Sequence, residues 1–285
     1  MVDAIRFAFD ILSFVSVMVL VVLGLGVIAS MMGIFNFAHG EFVLLGAFTM
    51  FMVADAGHSA WWGIALAPIV VGLLGLVIER TCIRHFYAAP AAAILGTYAV
   101  GLVIRETVRT FLGGHYKSVP EPWPDFVTIG AISFSAWRSF IIAVTILVIG
   151  VCWILLTRST AGLKIRGSLE NPMLARVCGI STARVYAFTF AFGAALAGLA
   201  GALIVPLYQL SADMGLRFLV QSFLSVMLGG VGTFEGPVLG AVAVGALVAG
   251  LPWVAPPVLA DPLALLIALL IVKARRQGLI SRGRQ

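Results

Sequence analysis

The stretch Gly33-Ile34-Phe35-Asn36-Phe37-Ala38-His39-Gly40-Glu41-Phe42, "GIFNFAHGEF", joins two apolar runs, residues 11–32 before it and 41–54 after it. It places an amide, an imidazole and a carboxylate between segments that otherwise carry greasy side chains. On insertion scales a charge at the centre of a span costs about 2.5–3.5 kcal/mol, so such a residue faces protein or water. His39 and Glu41 are two apart and would diverge by about 200° on one helix, which rules out a shared metal face or an acid–base pair there. The stretch therefore reads as a helix break. Gly33 and Gly40 loosen the backbone, Asn36 or a neighbour caps the next helix, and the helix dipole favours Glu41 in its first turn. An ordinary capped loop is the competing reading, beside a role in gating or contact with a partner.

The surroundings set the class. The chain of 285 residues is 61% hydrophobic and 11% charged, with a mean hydropathy of +1.11; a soluble domain has about 25% charged residues. Apolar segments fall at 11–32, 41–54, 61–79, 91–112, 139–157, 185–206, 217–229, 237–251 and 256–272. Those at 41–54, 217–229, 237–251 and 256–272 are short against the roughly 20 residues of a full span. The runs are too long and continuous for an outer-membrane barrel. The fold expected is all-α: a single polytopic membrane domain over 1–285 with about eight transmembrane helices, eight or nine crossings, and broken or short helices near 33–41 and 229–237. Asp3, Arg6 and Asp10 lie in the first ten residues and no small-residue cleavage site follows, so the first run is expected to be retained as a span. Cys82, Cys152 and Cys178 are scattered without a CxxC pair, and neither disulfide nor metal site is expected.

Lysine and arginine give the orientation. Arg158, Lys164, Arg166, Arg176 and Arg184 stand against Glu170 alone in the 158–184 loop; Lys273, Arg275, Arg276, Arg282 and Arg284 close the chain; Arg80 and Arg84 close the third segment. These regions are mutually consistent as cytoplasmic, with a cytoplasmic C-terminus. The net charge of +6 then reports topology, and no nucleic-acid partner is needed. The 113–137 loop, with Pro120, Pro122 and Pro124, faces outside as an extended segment.

A second junction resembles the first. "GGVGTFEGPVLGA", residues 229–241, joins two short apolar segments and brings together Gly230, Gly232, Glu235 and Gly236. Glycine-interrupted short segments in two halves of a chain point to a transport pathway. In the 158–184 loop, Glu170-Asn171-Pro172 reads as a helix start, with Asn171 as cap and Pro172 in the first position. Met173, Leu174 and Val177 then share one apolar face, and Gly179 ends the helix. Such a helix can lie on the membrane surface or insert into a groove of a soluble partner. Arg105, Glu106 and Arg109 read as a cluster at the outer membrane edge, with Glu106 and Arg109 paired and a substrate-carboxylate site as the alternative. Asp213 and Arg217, four apart, read as an external pair. The chain has no GxxxxGK[ST], HExxH or GxSxG, so no ATP site and no hydrolytic centre is expected.

At "FNFAHGE" the chain resembles the inner-membrane permease subunits of the bacterial branched-chain amino acid ABC importers, the LivH type. The resemblance runs almost the whole length. It is carried by "GIFNFAHGEFVLLGAF", by "STAGLKIRGSLENPMLARVCGISTARVYAFTFAFGAALAGLAGAL", by "MLGGVGTFEGPVLGA" and by the ending "LLIVKARRQGLISRG". Arg275-Arg276-Gln277-Gly278-Leu279 stands where members often read Arg-Pro-x-Gly-Leu. The resemblance implies a transport subunit with no cofactor of its own, in the bacterial inner membrane. Its implied partners are a second related permease, two cytoplasmic ATPases and a periplasmic substrate-binding protein. Pro172 to Cys178 then looks like the coupling helix that docks on an ATPase, and Asn36 to Glu41 like a broken-helix element of the transmembrane core. Similar permeases serve branched-chain amino acids, urea, short amides and some aromatic acids. A pathway lined by Gly193, Ala194, Ala197 and Gly198 suits Leu, Ile and Val, although small residues in spans also serve helix packing. From another class, an ion-coupled carrier or channel would use Glu41 or Glu106 as its ion site and would have no need of a docking helix.

Overall fold

The computed structural model describes residues 2–33, 35–87, 89–129, 132–274, 278 and 279. Each of the nine apolar segments becomes a helix: α1 Val2–Met32, α2 His39–Asp55, α3 Ala60–Thr81, α4 Pro90–Leu112, α5 Ala136–Trp153, α8 Thr182–Ile204, α9 Met214–Gly229, α10 Glu235–Gly250 and α11 Pro257–Ala274. Two amphipathic helices, α6 Thr160–Glu170 and α7 Pro172–Val177, lie between α5 and α8. Among the described residues six helices, α1, α3, α4, α8 and the extended α5 and α10, are long and apolar enough to cross a membrane. Over their most apolar stretches α1 and α8 are 83% and 72% buried, against 22–39% for the other four. These two therefore form the centre of the bundle, and the rest turn apolar faces outward, as lipid-facing helices do.

The centre is built on small residues. Between apolar helices in lipid, close backbone approach replaces the hydrophobic driving force. A side chain on Gly193 of α8 would put its Cβ 2.6 Å from Ile28 Cγ1 and 2.7 Å from the Gly24 carbonyl of α1. Gly198 of α8 meets Ala67 and Val71 of α3 in the same way, and Gly75 of α3 meets Ala194. The run "FGAALAGLAGAL" thus packs helices; Gly193, Ala194, Ala197 and Gly198 face protein neighbours. Gly193→Leu should cost about 1–3 kcal/mol by overpacking, seen as a lower unfolding midpoint in detergent. An unchanged midpoint would show that α1 and α8 separate freely.

The 113–137 segment is more ordered than an extended loop. Two short strands, β1 Phe126–Ile129 and β2 Ile132–Ser135, pair antiparallel with Phe126 opposite Ser135. Lys117 exchanges backbone hydrogen bonds of 3.0 and 2.8 Å with Leu210, which ties the segment to the α8–α9 connection. At the other end of the bundle, Leu279 donates its N–H to Leu228 O at 2.8 Å. Arg275, Arg276, Arg282 and Arg284, on which the expected cytoplasmic C-terminus rests, lie outside the described residues.

Candidate functional site

The first break is real and deep. α1 ends at Met32, and Gly33 takes φ 69° with its N–H on Ala29 O at 3.1 Å, a left-handed conformation that glycine adopts without a Cβ penalty. Asn36 Oδ1 accepts from Ala38 N at 3.0 Å, and Phe37 N donates to Thr97 Oγ1 of α4 at 3.1 Å. α2 then starts at His39. His39 Nε2 donates to Val21 O at 2.8 Å, eleven residues before the end of α1. At 1.5 Å per residue this is about 16 Å from that end, near the middle of a hydrocarbon layer about 30 Å thick. The break therefore lies inside the bundle.

Gly33 and Gly40 do different jobs. Gly33 turns the chain, whereas Gly40 belongs to α2 and has no positive φ. A Cβ on Gly40 would collide with the Gly215 carbonyl of α9 and stand 3.0 Å from Leu219 Cβ. Gly24 likewise leaves room for the imidazole, since a Cβ there would lie 2.9 Å from His39 Cε1.

Glu41 is fully buried and ion-paired with Arg105 of α4. Arg105 Nε donates to Glu41 Oε1 at 3.0 Å, and its Nη2 donates to the same oxygen. The other oxygen lies against Gly215 in the first turn of α9, 3.2 Å from where a Cβ would stand, where a helix dipole favours negative charge. One ion pair thus holds α2 and α4 together, and α9 packs against the same spot. The cluster expected at the outer edge divides accordingly. Arg105 turns inward, while Arg109 stays outside with Glu106 at 3.2 Å and Asp213 at 2.7 Å. Arg217 pairs with Asp261 at 2.9 Å, so Asp213 and Arg217 are not partners. Asp213 stands before the first residue of α9, outside the helical spacing that would align it with Arg217.

The second break repeats the geometry without the chemistry. Gly230 and Gly232 have φ of 94° and 99°, and α10 starts at Glu235 with Gly236 N on Thr233 Oγ1 at 3.1 Å. A Cβ on Gly236 would lie 2.5 Å from Gly230 O. Both breaks pack on α1, the first through His39 and the second through Pro237 against Gly26. Glu235, however, is exposed, whereas Glu41 is buried and paired.

The remaining sequence candidates sit apart, between α5 and α8. Asn171 Oδ1 accepts from Leu174 N at 2.9 Å and caps α7, Pro172 is its first residue, and Gly179 follows its end with φ 80°. Glu170 closes α6 instead of opening α7, because Asn171 breaks the helix between them. Met173, Leu174 and Val177 are 79%, 58% and 80% exposed.

A transmembrane bundle with two glycine breaks and an exposed, capped apolar helix between spans has counterparts. The family model described as "Branched-chain amino acid transport system / permease component" matches residues 7–272. The chain belongs to this family. It is 26% identical over 242 residues to the high-affinity branched-chain amino acid transport system permease protein LivH of Escherichia coli K12, covering 79% of each chain. It is 27% identical over 202 residues to the guanosine ABC transporter permease protein NupQ of Bacillus subtilis, covering 65% of this chain and 61% of that one. Among solved structures, PsaBC from Streptococcus pneumoniae in complex with Fab shares the fold with a TM-score of 0.51 at 11% identity, over 98% of this chain and 93% of that chain.

The permease is therefore a multi-pass inner-membrane transport subunit of an ABC system. Arg105 is the member of its core that sequence reasoning missed, although a signal existed. Ala93, Thr97, Gly101, Ile104, Val108 and Leu112 form the buried stripe of α4. Arg105 lies four residues from Gly101 on that stripe, whereas Glu106 falls off it. A second buried carboxylate, Glu79 of α3, accepts from Tyr87 Oη. Burial first, then this bond, raises the pKa of the Tyr87 phenol.

Proposed function

We propose that this permease forms half of the membrane pathway of an importer for branched-chain amino acids, Leu, Ile or Val, and that separate ATPases drive it by docking on α7. The observation that carries the reading is the exposed face Met173, Leu174 and Val177 on a short helix capped at both ends. An apolar face held out from the bundle in a basic loop suits a protein groove, and an ion-coupled carrier has no use for it. In this reading the 158–184 loop and the C-terminus are cytoplasmic and the 113–137 segment is periplasmic. A second permease completes the pathway and a periplasmic binding protein delivers the substrate. Asn36, His39, Gly40 and Glu41, with Gly230, Gly232, Glu235 and Gly236, form the two broken-helix elements of the translocation core. Glu41 acts there as a hinge held by Arg105.

The guanosine transporter relative favours a second substrate reading, a nucleoside carried on the same scaffold. The purified permease should hydrolyse no ATP, and vesicles should accumulate leucine only when ATPases and binding protein are present. Uptake by this chain alone, driven by an ion gradient, would overturn the importer reading. Accumulation of guanosine and not of leucine by the full importer would move the substrate to the nucleoside class.

A further inference from the structure

The five cations of the 158–184 loop do not have equal employment. α5 runs on as a π-helical turn, Ile154–Arg158, and Arg166 donates to Leu156 O in that turn. Arg158 lies over the Trp153 ring at 5.2 Å. Arg176 Nε donates to Thr182 Oγ1 at 3.0 Å. Among the described residues Lys164 and Arg184 have neither an ion pair nor a side-chain hydrogen bond, and both line one cavity of about 670 Å3 between α6, α8 and the π turn. The rest of that cavity is mostly apolar, with Leu155, Ile180, Phe188 and Phe192 in its wall. Arg184, Phe188 and Phe192 are four residues apart on α8 and so share one face over about 12 Å. Phe188 is 62% exposed. The layout runs from two uncompensated cations near the start of a spanning helix to an aromatic stripe descending along it.

We propose that this cavity binds one anionic phospholipid, with the phosphate on Lys164 and Arg184 and an acyl chain along Phe188 and Phe192. Basic pockets at the ends of transmembrane helices bind anionic headgroups, and the apolar stripe supplies what a free anion does not use. The volume falls within the range of small-molecule sites, enough for a headgroup and the upper part of one chain. The site requires a cavity at the membrane–water boundary and holds for either direction of insertion. A bound lipid would hold α6, and with it the base of α7, against α8.

The test is lipid retention, read by native mass spectrometry on the detergent-purified importer with its partner subunits. Dioleoylphosphatidylglycerol is titrated against dioleoylphosphatidylcholine. Wild type should keep one phosphatidylglycerol per copy of this chain, and Lys164→Gln/Arg184→Gln should weaken that binding at least 10-fold while the unfolding midpoint in lipid-free detergent stays unchanged. Ala161→Trp, which fills the cavity from α6 while keeping both cations, should weaken it to a similar extent. Equal retention by wild type and variants, or no preference over phosphatidylcholine, would reduce the cavity to ordinary boundary lipid and overturn the site. Competition by inorganic phosphate at equal concentration would make it an anion site without a chain pocket. Binding to the isolated permease that disappears in the importer would give the cavity to a protein partner.

Discussion

Arg105→Met should sharply lower the stability and the yield of the folded permease. The substitution leaves Glu41 fully buried without its cation, and breaking a buried pair from one side costs about 3–5 kcal/mol. Against a total stability on the order of 5–15 kcal/mol, that is a large fraction. Glu41→Gln should be milder. Arg105 has the longer side chain, 11% exposed, and the acids paired with Arg109, Glu106 and Asp213, lie on the same side of the bundle. It can turn toward them, as cations near helix ends do. Glutamine also keeps a hydrogen-bonding side chain against Gly215. Glu41→Gln should therefore lower uptake by the full importer more than it lowers complex yield, and Arg105→Met should lower both. Glu41→Gln/Arg105→Gln should recover much of the yield lost in Arg105→Met, because neutral partners can bond without a buried charge. Monodisperse yield and unfolding midpoint for these variants, with Arg105→Gln alone as the missing corner, close a double-mutant cycle for the Glu41→Gln and Arg105→Gln pair. A wild-type midpoint in Arg105→Met would show that Glu41 does not depend on this cation.

The helices were legible because each apolar run, short or spanning, is long enough for about three or more helical turns and is bounded by glycine, proline or charge. Their depth was not. The residues from Gly33 to Glu41 announce a break, but only packing shows that the chain climbs back from the end of α1 before α2 begins. That climb is fixed by His39 on Val21 O and Phe37 N on Thr97, contacts between residues 18 and 60 apart. Local spacing carries no record of such contacts. Gly40 shows the same limit. A glycine beside a break reads as a flexible point, and here it serves a helix crossing in which the collision lies with α9. Arg105 was misread for a different reason. A cation beside Glu106 and four residues from Arg109 looks like a surface cluster until the buried stripe of α4 is traced through Gly101 and Val108. The capping of α7 was fully legible because Asn171, Pro172 and Gly179 act on their own neighbours. The hairpin in the 113–137 segment was hidden by three prolines, which precede the strands.

Leu174→Asp should separate assembly of the bundle from its coupling. Leu174 is 58% exposed and packs on the solvent side of α7, while Ala175 is the buried residue of that helix. The folded permease therefore tolerates the change, and its yield and midpoint should stay at wild-type values. If α7 enters an ATPase groove, burying Met173, Leu174 and Val177 contributes about 1.5–3 kcal/mol each at full burial. Aspartate forfeits the central share and places an unpaired carboxylate in the groove, a further penalty of a few kcal/mol. Together these predict at least a 100-fold loss of ATPase affinity, given about 1.4 kcal/mol per tenfold, with uptake falling to background. Leu174→Met, similar in volume and apolar, should keep both. The competing position for α7 is the membrane surface. There Leu174→Asp would weaken membrane contact of the loop while ATPase pull-down and uptake remained normal, and that result would remove α7 from the coupling interface. Asn171→Ala tests the same helix through its cap. Losing the bond to Leu174 N should cost about 1 kcal/mol of local helix stability, a several-fold effect on docking, well short of the loss expected from a charge in the groove.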